Sequence, residues 1–305
     1  MTQSKNTRTE KDTMGPMEVP ANAYYGASTQ RAVLNFPISD LRYPSAFIHV
    51  LGMVKRAAAK ANMQLDRLDH EIGNAIIEAT DDVINGKLDA HFVIDIFQTG
   101  SGTSTNTNAN EVIARRANEI LDASSERKVH PNDHVNMGQS SNDVIPTASH
   151  LAVARALNEE LAPALDQLGT SLMSKANNWW DIIKTGRTHL QDATPIRLGQ
   201  EFKGYADQAY LALSRVTYHI DKLGEVALGG TAVGTGVNTH PDFAQLACRV
   251  LSSDLGFTVV ETEHHFQAQS TLDAMLAASG SVRSAAVSMQ KIANDIRWMG
   301  SGPVS

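Results

Sequence analysis

The chain has 305 residues, 26 basic and 33 acidic, so its formal net charge is −7 and no global cationic field marks it as a nucleic-acid binder. At roughly 100–200 residues per domain, this length predicts about two domains. The single cysteine, Cys248, cannot form an intramolecular disulfide, which favours a reducing compartment such as the cytoplasm. No segment has the roughly 20 apolar residues of a membrane helix, and the N-terminus lacks the apolar region of a secretory signal.

The N-terminal third predicts a looping segment followed by short helices. Prolines and glycines interrupt the first 40 residues, which should be extended or irregular. Ser45 is predicted to cap a helix over 46–63, and Asp69 to cap a second helix. A third helix is expected after Asn108.

From about residue 140, apolar residues recur at steps of three and four, the pattern of helices that bury a seam in a bundle. Such stripes run over 157–172, 198–223 and 282–296, and Pro163 should bend the first of these helices. The best strand signal is the short run 257–260.

Four polar segments between these helices are rich in glycine and in hydroxyl or amide side chains, which let a ligand approach backbone N–H donors. They are 98–106, 130–143, 186–195 and 229–238. The first is neither a P-loop nor a dinucleotide fingerprint. The first segment could also be a plain capped turn, and the second a plain helix N-cap. The residues alone therefore indicate a mostly helical bundle with loops suited to a small polycarboxylate.

Histidines in these segments have competing interpretations. His189 lies in a loop after a hydroxyl residue, where it could move protons near neutral pH or have no role. His130 and His134 are four residues apart, but a proline separates them and no third ligand is nearby, which disfavours zinc.

Together the segments resemble the fumarase/aspartase superfamily, and within it most closely the class II fumarate hydratases. The motifs are TGSGTSTNTNANEV, ERKVHPNDHVNMGQSSNDVIPTA, GRTHLQDATP and GGTAVGTGVNT. Aspartases typically have glutamine where His189 stands. The resemblance implies an all-α fold, a long-helix bundle with a smaller, mostly helical N-terminal domain. The expected domains are a lyase domain over 1–138 and an incomplete central bundle over 139–305, with the C-terminal domain absent.

The resemblance also implies an activity, the reversible hydration of fumarate to (S)-malate in the tricarboxylic acid cycle, without a metal or another cofactor. The implied partner is a small dicarboxylate, with no nucleic acid and no membrane. The full-length protein would be a cytoplasmic homotetramer in which each active site combines segments from three subunits.

Site residues are carried over by the same resemblance. His189 matches the proton donor and acceptor of the family. The residues that would hold substrate are Ser101, Gly102, Thr103, Ser140, Ser141, Asn142 and Thr188. A second dicarboxylate site would comprise Arg127, His130, Asn132 and Asp133.

The chain departs from the family pattern at its end. It stops at residue 305, just before the family's signature loop GSSxMPxKxNP, which supplies the expected base. We therefore expect little hydratase activity from this chain by itself, together with self-association through unpartnered helix faces. Two alternatives stay open: an aspartase-like ammonia lyase, and a non-catalytic binding or structural remnant of the fold.

Overall fold

The computed structural model of the protein describes residues 6–121 and 125–302. Its contacts divide the chain into two units, one comprising Met1–Ala152 with Gly224–Thr271 and the other Val153–Leu223 with Leu272–Ser305. The boundary expected after residue 138 rests on a change in composition and stays a prediction.

Helices predominate among the described residues. The N-terminal elements are β1 (Thr7–Asp12), β2 (Gly15–Pro20), α1 (Ala27–Asn35), α2 (Ser45–Gln64), α3 (His70–Ile84), α4 (Thr103–Ile120) and α5 (Ser141–Ala156). They continue with α6 (Ala162–Asn178), β3 (Ile183–Thr188), β4 (Gln191–Arg197), α7 (Leu198–Leu223), β5 (Glu225–Val226), α8 (Phe243–Leu255), β6 (Val260–Glu261), α9 (His265–Ser270) and α10 (Asp273–Met299). No helix in the described part of the chain is long and apolar enough to cross a bilayer.

The first unit is built around α2, which packs against α3 and α8. Its core includes the fully buried side chains of Leu51, Ile76 and Phe243. The cap predicted at Asp69 is confirmed, because its carboxylate accepts the first free N–H groups of α3. Ser45 is instead the first residue of α2, and Pro44 occupies the cap position. A proline suits a helix start because its ring fixes φ.

Two hairpins were not predicted. Strands β1 and β2 pair antiparallel within the segment expected to be irregular. Strands β3 and β4 pair antiparallel around the third polar segment, with Thr188 opposite Gln191. The strand expected over 257–260 is confirmed only at Val260, where β6 pairs in parallel with β5.

The second unit packs α7 against α6 and α10. The stripe predicted on α7 is confirmed by buried Phe202, Tyr205 and Val216. The stripe predicted on α10 is exposed at its ends, Val282 and Ile296, as expected for a helix face without a partner in this chain. Helix α10 instead buries a face of mostly small residues, comprising Ala278, Ser281, Ala285 and Ile292.

Pro163 lies in the first turn of α6, and Leu161 and Ala162 before it already have helical φ and ψ, so the chain is helical on both sides of the proline. A π-helical turn over Leu157–Leu161 comes directly before α6. The helical run from α5 into α6 is therefore irregular in the turn just before Pro163, where the proline ring would clash with a regular α-helical turn.

Candidate functional site

A polar cleft of about 320 Å³ lies within the first unit. Its lining combines hydroxyl and amide side chains from α4, the turn before α5, the start of α5 and the fourth polar segment. These residues are Thr103, Asn106, Thr107, Asn110, Asn132, Asn136, Gln139, Ser140, Ser141, Thr231, Ala232, Val237 and Asn238. None of these lining side chains carries a charge, so a ligand meets neutral hydrogen-bonding groups.

The start of α5 is held by a reciprocal pair of caps. The Ser140 hydroxyl oxygen accepts the N–H of Asn142 at 3.3 Å, and Asp143 Oδ1 accepts the N–H of Ser140 at 2.9 Å. This arrangement resembles a capping box, except that the Ser140 oxygen accepts the N–H of the second helical residue rather than the third. The positive end of the helix dipole therefore faces the cleft at Ser140 and Ser141.

Asp143 also fixes the fourth polar segment against α5. Its Oδ2 accepts the N–H groups of Gly229 at 3.1 Å and Thr231 at 2.9 Å. Burial raises the pKa of the Asp143 carboxyl, while these backbone donors and Lys55 oppose the rise. A second tie comes from Asn142, whose Nδ2 donates to the Ala232 carbonyl at 2.8 Å.

Thr231 is held in an unusual conformation at the cleft. Its φ is 57°, in the left-handed region, which is costly for a β-branched residue and is concentrated at functional sites. Three buried side-chain oxygens of the cleft lining, Thr231 Oγ1, Asn106 Oδ1 and Asn110 Oδ1, have no hydrogen-bond partner among the described residues. Buried polar atoms are normally paired. The Thr231 hydroxyl can donate to an anionic ligand, whereas the two amide oxygens can only accept and need a donor such as a hydroxyl group or water.

Behind the lining lies Lys55 of α2, which is fully buried. Its Nζ donates to Asn136 Oδ1 at 2.9 Å and to Gln139 Oε1 at 3.0 Å. Burial lowers the pKa of Lys55 to about 7, and the negative charge of Asp143 limits that fall.

The lowered pKa of Lys55 predicts a pH dependence of stability. Between about pH 7 and pH 10, the unfolded lysine binds a proton that the folded one does not, so this residue's contribution to the free energy of unfolding increases with pH. The slope is at most about 1.4 kcal/mol per pH unit. Urea unfolding at about pH 7 and pH 9 checks this. In Lys55→Gln the increase should be smaller, and an equal increase in variant and wild type would contradict it.

The first polar segment contributes only part of what was predicted. Thr103 lines the cleft, whereas Ser101 and Gly102 do not. Ser101 Oγ lies 3.0 Å from Thr103 Oγ1. Gly102 has a φ of 68°, and a Cβ there would meet the Ile145 side chain at 2.9 Å, so glycine is required at the start of α4.

His189 and Thr188 belong to the second unit, at the turn of the β3–β4 hairpin. Both side chains are exposed. His189 and Leu190 have φ values of 51° and 58°, the two positive values that a two-residue type I′ turn requires. Asn and Gly are the usual residues there, so this turn carries strain at the residue predicted to be catalytic.

The predicted second dicarboxylate site is divided. His130 and Asn132 line another cleft of the first unit, of about 660 Å³, and Asn132 also lines the smaller cleft. Asp133 is exposed, and its backbone N–H donates to His130 Nδ1 at 3.2 Å. Arg127 lines neither cleft and forms ion pairs with Asp69 and Glu71.

Of the predicted substrate residues, the cleft therefore brings together Thr103, Ser140 and Ser141, with Asn142 tied to the loop beside it. Sequence reasoning missed Lys55, Asn106, Asn136 and Thr231 as site residues. Three of these lie inside motifs already singled out. Lys55 gave no local signal, since Arg56 follows it directly in the same helix.

Comparison with known proteins shows that this chain is similar to lyases. A model of the lyase family matches residues 15–305. The chain is 54% identical over 273 residues to fumarate hydratase class II of Halobacterium salinarum, covering 89% of this chain and 58% of that protein. It is 50% identical over 300 residues to the Neisseria meningitidis protein of the same name, covering 98% and 65%.

A crystal structure of class II fumarase from Schistosoma mansoni has a TM-score of 0.92 to this chain at 38% identity, covering 98% of this chain and 66% of that one. The chain thus spans less than two thirds of the length of these relatives.

Proposed function

We propose a function from one premise: this chain belongs to the lyase family, whose model matches residues 15–305. The proposal is that the protein is a fumarate hydratase, which interconverts fumarate and (S)-malate. The observation that carries it is the cleft of neutral hydroxyl and amide groups at the start of α5, in which the buried Thr231 hydroxyl has no partner among the described residues. The class II fumarate hydratase relatives support the choice of reaction.

In this proposal the cleft binds the carboxylates of the substrate. The hydroxyls of Thr103, Ser140 and Ser141 donate to carboxylate oxygens at the start of α5, where the helix dipole favours negative charge. Removing a proton next to a carboxylate develops a second negative charge on that group, so fixed donors stabilise the transition state more than the ground state. Ser101, Gly102 and Asn142 position these groups.

The proposal assigns proton transfer to His189, helped by Thr188 in binding substrate. Imidazole suits this role because its ordinary pKa lies near neutral pH. We further propose a cytoplasmic homotetramer acting in the tricarboxylic acid cycle, in which His189 serves a site assembled from several subunits. The buried, unpaired Cys248 is consistent with a reducing compartment.

The test is a substrate comparison with the full-length protein. Fumarate absorbance is followed after adding malate or, separately, aspartate. The proposal expects fumarate from malate and none from aspartate. Fumarate from aspartate alone would identify an ammonia lyase, and turnover of neither would identify a non-catalytic member of the fold.

The residues of the predicted second site should matter less for turnover. His130 borders a different cleft from the one that holds Ser140 and Ser141. His130→Asn should therefore leave kcat of the full-length protein within about an order of magnitude of wild type, well short of a general acid–base penalty. Steady-state hydration kinetics checks this, and a fall of about a thousandfold would mean that the two sites are reversed.

Helix α10 should drive association of this chain in solution. It exposes the large apolar side chains of Leu276, Val287 and Ile296. Burying such side chains stabilises association by roughly 25 cal/mol per Å². Light scattering coupled to gel filtration should give a mass above 32.9 kDa. Val287→Glu combined with Ile296→Glu should reduce it, and a monomeric wild-type chain would contradict this prediction.

A further inference from the structure

The buried lysine beneath the cleft is the charged group that the proposed reaction leaves without a role. Lys55 is fully buried in α2, where a lysine is normally excluded unless it is paired or functional. Its two hydrogen-bond partners are neutral amides. Desolvating such a cation is costly, so a role for its charge is expected.

The hydrogen bonds of Lys55 determine which atoms of the groups around it donate and which accept. An ammonium group can only donate, so Asn136 must present Oδ1, and Gln139 must present Oε1, towards Lys55. The amide nitrogens of both residues then bond backbone carbonyls of the turn before α5. This turn supplies part of the cleft lining.

The same chain of hydrogen bonds continues from Asn136 to the start of α5. Asn136 Oδ1 also accepts from Asn106 Nδ2 at 3.2 Å, so Asn106 must present its amide nitrogen on this side. The same nitrogen donates to Ser141 Oγ at 3.1 Å. Because Ser141 Oγ accepts this bond, its own O–H proton is left to donate to an acceptor in the cleft.

We propose that Lys55 is a positioning residue for this cleft: through Asn136 and Asn106 it makes Ser141 a hydrogen-bond donor, and its charge lies beneath a bound carboxylate. The proposal rests on the proposed function, since a dicarboxylate is the ligand. It also explains how a cleft with an uncharged lining attracts a dianion. At close range behind a low-dielectric wall, one buried charge changes anion affinity by about tenfold.

Other charged groups near Lys55 have separate partners. Arg56, the next residue of α2, pairs with Asp81 of α3 and Asp254 of α8. His134, on the turn that packs against α2, uses Nδ1 to accept the N–H of His130, and burial lowers its pKa.

Asp143 of α5 is the charged group that acts on Lys55. Losing a proton from either Lys55 or Asp143 makes the site less positive, so binding of a dianion should weaken as pH rises. Replacing Lys55 by a neutral residue, with Asp143 left in place, separates the contributions of the two groups to this pH dependence.

The experiment measures succinate binding to the full-length protein by calorimetry at about pH 6 and about pH 8.5. Succinate has both carboxylates but no double bond to hydrate. The variants are Lys55→Gln, which keeps an N–H donor without the charge, and Lys60→Gln, a matched control on the same helix. Wild type and the Lys60 variant should bind about tenfold more weakly at the higher pH. Lys55→Gln should bind weakly with little pH dependence.

The possible results are distinguishable. Succinate binding in Lys55→Gln with the wild-type pH dependence would overturn the role of Lys55 and leave the proposed function standing. Absence of binding to wild type at both pH values would overturn both proposals. If Lys55→Gln does not fold, proton uptake on succinate binding to wild type at about pH 8 decides the matter, and no uptake would overturn the role of Lys55.

Discussion

Replacing His189 with asparagine in the full-length protein should lower kcat for fumarate hydration by about 10²–10⁴-fold, the usual contribution of general acid–base catalysis. The folded state should not suffer, because His189 has a φ of 51° and asparagine tolerates the left-handed region better than histidine. Its exposed side chain makes no packing contribution to lose. Steady-state kinetics and thermal unfolding of the same samples check both parts.

The neighbouring turn residue provides the control. Leu190 has a φ of 58° and is also exposed, so Leu190→Gly should relieve strain and stabilise the hairpin by about 1 kcal/mol. Its kcat should stay within a few-fold of wild type. A His189→Asn enzyme with unchanged turnover would remove His189 from the proposed mechanism.

Replacing Asp143 with alanine should produce the largest loss of stability in the first unit. It leaves the N–H groups of Ser140, Gly229 and Thr231 without their shared acceptor. At about 1–3 kcal/mol for each of these three unsatisfied donors, the free energy of unfolding should fall by about 3–9 kcal/mol. Urea unfolding measures the fall, which is comparable with the net stability of a domain.

Asp133→Ala is the matched control, because that aspartate is exposed. Its loss should stay within about 0.5 kcal/mol, as for most surface substitutions. A loss below about 1 kcal/mol in Asp143→Ala would show that the loop at Gly229 and Thr231 is held by other contacts.

The spacing of apolar residues predicted the buried face of a helix well where only one face could be buried. On α7 the stripe through Phe202 and Val216 matches the buried face because the opposite face is mostly polar. On α10 two faces have apolar or small residues, and the period cannot choose between them. The choice was made by packing, which favoured the small side chains of Ala278 and Ala285.

Chain-local signals could not predict the hairpin that carries His189. Its strands are mostly exposed and lack regular alternation, and its turn has His189 and Leu190 where Asn-Gly is typical. The candidate site was predicted only in part, because motifs are visible in a sequence and tertiary burial is not. Hydroxyl-rich motifs are visible in sequence, so Ser140 and Ser141 were found. Burial of Lys55 results from tertiary packing and was invisible.

The central claim is that the cleft of the first unit binds the carboxylates of the substrate. A crystal structure of the full-length protein grown with fumarate tests it most directly. We predict a carboxylate within hydrogen-bonding distance of the Ser141 hydroxyl and of Thr231 Oγ1, which supplies the partner that this oxygen lacks here. Fumarate bound only in the larger cleft beside His130, with the Ser141 cleft unoccupied, would contradict the account.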